Sequence, residues 1–332
     1  MTNLRATSPL SYGTPLPRGR RRDLMITIGL IGFVVVGLSG LAAATGWQET
    51  IDQLSLLDVG QFAALLGLSL LNYALRGGRW HLFARRLGLP TTITQNYRHF
   101  LGGFAMSVTP GRVGELVRMR WLRRETGWSF ERTAPLALMD RAGDLAAMAI
   151  LLALGLSFST GGVRFGLPVA TVALAAAFVA TRPQLLSGLA ELAFRLTGRF
   201  ARLFAKLRRA SRSLAMFSTP ATITASLALG ILGWFAEGAS FYLLLNWMGA
   251  DVGFWTATTI FTFATLAGGL TGAPGGVGGA EAAMIALLSL QGVPLETSLP
   301  ATAIIRVTTL WFAIGLGLIL FPFAERKSTK SH

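Results

Sequence analysis

Apolar residues in this chain come in long uninterrupted blocks rather than in the short alternation of a half-buried strand or surface helix. The blocks cover Leu24–Gly46, Val59–Leu75, Pro135–Phe158, Gly166–Thr181, Thr222–Leu245 and Leu299–Phe321. A helix crosses a bilayer with about 20 mostly apolar residues, so each block predicts a transmembrane span. Two other apolar stretches behave differently. His99–Thr109, only about 11 residues against the roughly 20 needed to cross, runs into Thr109-Pro110-Gly111-Arg112-Val113-Gly114-Glu115. Trp255–Leu270 runs into Ala273-Pro274-Gly275-Gly276-Val277-Gly278-Gly279-Ala280-Glu281, and Ala282–Gln291 follows. Both phrases read Pro-Gly-x-Val-Gly and then a glutamate.

Proline removes a backbone donor and glycine permits positive φ. Pro110, Gly111 and Gly114 in the first copy, and Pro274, Gly275, Gly276 and Gly278 in the second, therefore predict helices that break and restart at Val113 and Val277. Within hydrocarbon, broken helix is tolerated only where it is buried in protein or lines a wet cavity. Two breaks in corresponding places of two halves point to a transporter-like binding site. The fold class predicted is an all-α polytopic membrane protein with six spans and two re-entrant helical hairpins. If both hairpins cross fully, the count is about ten and the orientation is unchanged.

Composition agrees: 52% of the 332 residues are hydrophobic and 14% charged, with a mean hydropathy of +0.55. A soluble domain carries about a quarter charged residues. The net charge of +15 is nearly all arginine. Its clusters are separated by apolar runs, which argues against a nucleic-acid partner and for topology and anionic lipid headgroups. Cysteine is absent and the three histidines are scattered, so no metal site or cofactor is expected.

Arginine placement sets the predicted orientation. Residues 1–22 read as a disordered basic cytoplasmic tail. Leu24–Gly46, at about 23 residues, suits a retained span better than a signal-peptide core of about 7–15. Arg76, Arg79, Arg85 and Arg86, and later Arg112, Arg118, Arg120, Arg123 and Arg124, mark the inside. The first hairpin thus enters from the cytoplasm. No basic residue lies between Arg212 and Arg306, so the second enters from outside, and both termini are inside, with 323–332 a cytoplasmic tail. Within one domain of residues 23–322, the halves 59–158 and 221–322 form a predicted inverted repeat. Between them, about 190–217 reads as an amphipathic helix whose Arg195, Arg199, Arg202, Lys206, Arg209 and Arg212 lie on a membrane surface or bind headgroups.

Ionisable residues inside spans mark sites or structural locks. The candidates are Asp140, Arg141 and Asp144 in the third span, Glu237 in the fifth, Arg306 in the last, and Glu115 and Glu281 past the breaks. Asp140 and Asp144 share a helix face, with Arg141 turned about 100° away. Restarting helices aim positive N-terminal ends between the hairpins, and Arg112 adds a full charge, so the guest expected is an anion, a lipid phosphate above all. The alternative for Glu115–Arg141 and Glu281–Arg306 is a pair of buried ion pairs that merely hold each hairpin to its span. Gly77-Gly78, Gly102-Gly103 and Gly268-Gly269 read as helix-packing surfaces. Trp47, Trp80, Trp121, Trp128, Trp247 and Trp255 read as interfacial anchors.

The set Pro110-Gly111-Arg112-Val113-Gly114-Glu115, Asp140-Arg141 with Asp144, and Pro274-Gly275-Gly276-Val277-Gly278 with Glu281 and Arg306 resembles the lysylphosphatidylglycerol synthase transmembrane-region family, over about residues 24–322. The resemblance implies a flippase-like domain of a bacterial cytoplasmic membrane, with functional roles at Arg112, Glu115, Arg141, Asp144, Glu281 and Arg306. The family more often carries glutamate where this chain has Asp140. The chain ends soon after its last span, so lysyl transfer is not expected. The leading expectation is a translocator of an anionic or aminoacylated phospholipid, polyprenyl-phosphate or glycolipid headgroup, not an enzyme. Its partners would be membrane lipids. The alternatives are an accessory subunit that partners a lipid or glycan synthase, and an intramembrane enzyme using Asp140 and Asp144 as acid and base.

Overall fold

The computed structural model describes Ser55, residues 57–109, 113–158 and 166–181, single positions from 185 to 192, and residues 214–329. The Leu24–Gly46 span, the N-terminal tail, the basic residues Arg195 to Arg212, and Pro110, Gly111 and Arg112 lie outside the described residues. Every described element is helical. In order they are α1 Val59–Arg86, α2 Ile93–Gly102 with a 3-10 turn Gly103–Val108, α3 Val113–Thr126, α4 Phe130–Phe158 and α5 Gly166–Thr181. Then come α6 Pro220–Trp247, α7 Phe254–Leu270, a 3-10 turn Pro274–Gly276, α8 Gly279–Leu290, α9 Leu295–Arg306, a π-helical turn Val307–Trp311 and α10 Phe312–Thr329.

Three helices are long and apolar enough to cross a bilayer among the described residues: Phe130–Phe158, Pro220–Trp247 and the continuous Leu295–Thr329. α1 is also 28 residues long, started by an Asp58–Gln61 capping box. It does not stop at Leu75, and this overturns part of the arginine reading. Arg79 is 0% exposed and Arg76 only 7%. They are interior groups rather than markers of a membrane surface, because α4 supplies carboxylates to meet them. Arg118, at 2% exposure, is interior as well.

The two halves repeat in register. α1 and α6 have the same length of 28 residues. Each ends in a left-handed glycine, Gly88 and Gly249. Each glycine N–H donates to the carbonyl three residues back (Arg85, Asn246), and the next N–H donates to a helix carbonyl five back (Ala84, Leu245). This is the six-to-one closure that caps many helices. α2 and α7 then start at Ile93 and Phe254, and a single offset along the chain relates all these pairs. By that offset Tyr73 corresponds to Trp234 and Arg76 to Glu237. The equivalent long helices run antiparallel. Phe217, just before α6, meets Phe83 near the end of α1 at 5.4 Å between ring centroids. At the other end Leu65 shares an apolar cluster with Leu244 and Leu245.

Short arms fold back after each long helix. α2 is held to α3 by Gln95 and Arg98, which both donate to Glu125, and the expected glycine seam holds, since a Cβ on Gly102 would meet Trp121 at 3.2 Å. In the second hairpin Gly268 packs on Ala280 and Gly276. The break itself is as expected, with Gly275, Gly276 and Gly278 at φ of 60°, 70° and 86°. The restart is later, at Gly279 rather than Val277, because Val277 is extended and Gly278 is left-handed. Gly276→Ala is expected to lower the thermal midpoint of the purified protein further than Gly292→Ala. Both pay about 1–2 kcal/mol for a left-handed L-residue, but a Cβ on Gly276 also lands 3.0 Å from the Gly268 backbone, whereas nothing lies within 4 Å of one on Gly292.

Two other expectations change. Trp80 and Trp121 are 0% exposed and are not interfacial anchors. Trp121 donates its indole N–H to Glu325 at 2.7 Å, and Arg120 and Arg124 reach the same carboxylate at 2.5 Å each. Those contacts extend the last helix to Thr329, into the stretch expected as a tail.

Candidate functional site

The tips of the two hairpins converge on one cavity of about 390 Å³. Met106, Ser107 and Thr109 line it from the first tip, and Gly272, Ala273, Gly275 and Gly276 from the second. The long helices close the sides with Tyr73 and Arg76 of α1, Arg141 of α4, Trp234 and Glu237 of α6, and Arg306 of α9, while α3 adds Arg118. The pairs related by the internal repeat, Tyr73 with Trp234 and Arg76 with Glu237, thus face the same space.

Behind this lining stands a seam of fixed charges between α1 and α4. Arg76 makes a two-pronged pair with Asp144, through Nε at 3.0 Å and Nη2 at 2.7 Å. Arg79 Nη2 bridges Asp140 Oδ1 at 2.7 Å and Asp144 Oδ1 at 2.6 Å, and also donates to the Asp140 carbonyl at 3.0 Å. Trp234 donates its indole N–H to Asp144 Oδ1 at 3.1 Å. The helical spacing of Asp140 and Asp144 puts both on the face turned to α1, and Gly143 and Gly230 leave room for the Arg79 guanidinium. Arg76 lies over the Trp234 ring and Arg118 over the Phe100 ring, each at 4.6 Å from the centroid. A stacked guanidinium keeps its edge for hydrogen bonding.

At the second break one arginine ties three things together. Arg306 Nε donates to Glu281 Oε1 at 2.5 Å, and its Nη2 donates to the Gly275 carbonyl at 2.8 Å. The other carboxylate oxygen of Glu281 accepts the Gly278 N–H at 2.6 Å, closing the restarted helix. The π-helical turn begins one residue later, and there the Thr309 carbonyl accepts the Tyr73 hydroxyl at 2.5 Å. The break, the last span and α1 are thereby held as one unit.

Of the residues expected from sequence, Arg141, Glu237 and Arg306 line the cavity. Asp140, Asp144 and Glu281 stand behind it as counterions, and the expected Glu281–Arg306 pair is formed. Gly114 and Glu115 fall in the first turn of α3. Arg141 has Asp144 at 3.6 Å on its own helix. Sequence reasoning missed Tyr73, Arg76, Arg79, Arg118 and Trp234. Two acidic residues four apart in an apolar span require cationic partners, and that was the signal available for Arg76 and Arg79.

Among the described residues the lining therefore carries four arginines and a single acid, Glu237. Arginine stays charged at any relevant pH and offers a planar fork of donors suited to phosphate oxygens. Among the described residues no group of three or more His, Asp and Glu is placed to hold a metal ion. No curated protein sequence matches the chain significantly. The family model for the lysylphosphatidylglycerol synthase TM region matches residues 25–317. The chain, with its broken hairpins around an arginine-lined cavity, belongs to that family.

Proposed function

We propose that this protein translocates a lipid headgroup of anionic character across a bacterial cytoplasmic membrane. The observation that carries the reading is the cavity between two helix breaks, to which α1, α3, α4 and α9 each bring an arginine. A phosphate placed there meets fixed donors without reorganisation of the protein, and its acyl chains stay in the bilayer. The hairpins serve as re-entrant elements approaching from opposite sides. Two facts support this: the arms α2, α3, α7 and α8 have 10, 14, 17 and 12 residues, short of the roughly 20 that span, and the equivalent long helices are antiparallel. In an inverted repeat the inward- and outward-open states arise when the two halves exchange conformations around a fixed site.

The test is lipid exchange in proteoliposomes with fluorescent phosphatidylglycerol, its lysylated form and a polyprenyl phosphate. Movement of at least one of them, stopped by Glu115→Gln, is the expected result. No movement of any, from protein shown to be folded, would instead favour an accessory role beside a synthase. Conversion to a new lipid species would favour an enzyme.

A further inference from the structure

Glu237 sits 4% exposed on the cavity wall, the sole acid beside four arginines among the described residues. The arginines nearest to it on the repeat are already matched, Arg76 by Asp144 and Arg306 by Glu281. Among the described residues the charged and titratable groups around Glu237 are Tyr73 and Arg76 from α1, Arg118 from α3, Arg141 and Asp144 from α4, and Arg306 from α9; α7 brings Phe261, Thr265 and Gly269, none of them ionisable. A guest phosphate would add a negative charge beside this carboxylate. Arginine cannot release a proton and the aspartates are held in ion pairs, so Glu237 is the group that can adjust.

A second observation gives that proton a route. Away from the cavity, toward the end of α6 and the start of α9, a column of polar side chains is fully buried. Ser240 lies three residues beyond Glu237, and Thr302 and Ser298 four and eight residues before Arg306, all 0% exposed. Ser240 Oγ, Thr302 Oγ1 and Ser298 Oγ have no hydrogen-bond partner in the protein. α6 packs against both α1 and α9. A buried polar atom without a partner costs about 1–3 kcal/mol, and a polar seam of this kind is where internal water settles. The contrast with the other half is sharp: the α1–α4 seam is closed by Arg76, Arg79, Asp140 and Asp144, while the repeat-related α6–α9 seam carries hydroxyls.

We infer that Glu237 is a proton site, reached through a hydrated column along α6 and α9, and that it takes up a proton when an anionic headgroup occupies the cavity. The inference rests on the headgroup reading. The proton comes from the aqueous phase by way of the column, joins a Glu237 carboxylate oxygen, and leaves to water when the headgroup leaves; no bond in the lipid changes. Transport of the anion would then be coupled to proton movement in the same direction.

The experiment uses the full chain in detergent with dihexanoyl phosphatidylglycerol as probe, titrated calorimetrically in two buffers of different ionisation enthalpy. About one proton taken up per probe bound is expected for the native protein, with no uptake by Glu237→Gln although the probe still binds. Since the chain has no cysteine, Ser240→Cys and Thr302→Cys report the column independently. Because the thiolate is the reacting form, each should react with a small water-soluble thiol reagent at least about tenfold faster than the equally buried Ile305→Cys. Binding without proton uptake, or cysteines no more reactive than Ile305→Cys, overturns the proton site and leaves the headgroup reading intact. No binding at all removes both.

Discussion

Asp140→Ala is expected to destabilise the protein by about 3–5 kcal/mol, the cost of leaving a buried cation without its partner. Arg79 is 0% exposed, and its Nη2 depends on Asp140 for a carboxylate oxygen and a main-chain carbonyl. Loss of the carboxylate leaves Arg79 competing with Arg76 for Asp144 alone. The measurement is the thermal midpoint of the detergent-purified protein, together with the monodisperse fraction on size exclusion. Replacing both partners, Arg79→Met with Asp140→Leu, should recover most of the loss, because a buried pair exchanged for apolar groups of similar volume is often neutral. A midpoint unchanged in Asp140→Ala would mean the seam is hydrated and the charges are not interior.

Arg306→Ala is expected to slow lipid exchange on the order of a hundredfold, equivalent to about 3 kcal/mol, within the range for truncating one member of a buried hydrogen-bonded charge pair. The change removes a permanent charge from the cavity wall, unpairs Glu281, and frees the Gly275 carbonyl at the break. Arg306→Lys should fall between, since an ammonium keeps the charge but not the fork that spans carboxylate and carbonyl. Exchange rates in proteoliposomes, normalised to reconstituted protein, report the effect. Full exchange by a normally expressed Arg306→Ala protein would contradict the assigned site.

The second break was legible in the sequence because proline and glycine act locally: glycine admits the positive φ that Gly275, Gly276 and Gly278 adopt there. The Glu281–Arg306 pair was legible because two charges in apolar surroundings must find each other. The interior position of Arg76, Arg79 and Arg118 was not. Arginine at the end of an apolar run carries the same signature whether it meets headgroups or a carboxylate on a helix distant in sequence, and only the packing of α1 on α4 decides. Trp80 and Trp121 misled for the same reason. The register relating Arg76 to Glu237 was also hidden, because the side chains at equivalent positions differ in sign and what repeats is backbone: helix length, the capping glycines Gly88 and Gly249, and the restart after them.

The most direct measurement of whether headgroups pass between the hairpin tips is lipid exchange before and after joining the tips. Ser107→Cys and Ala273→Cys, one from each tip in a chain without native cysteine, can be bridged by a reducible bifunctional thiol reagent. Exchange that stops on bridging and returns on reduction is the expected result. Exchange that continues undiminished with the tips joined would contradict passage through the cavity.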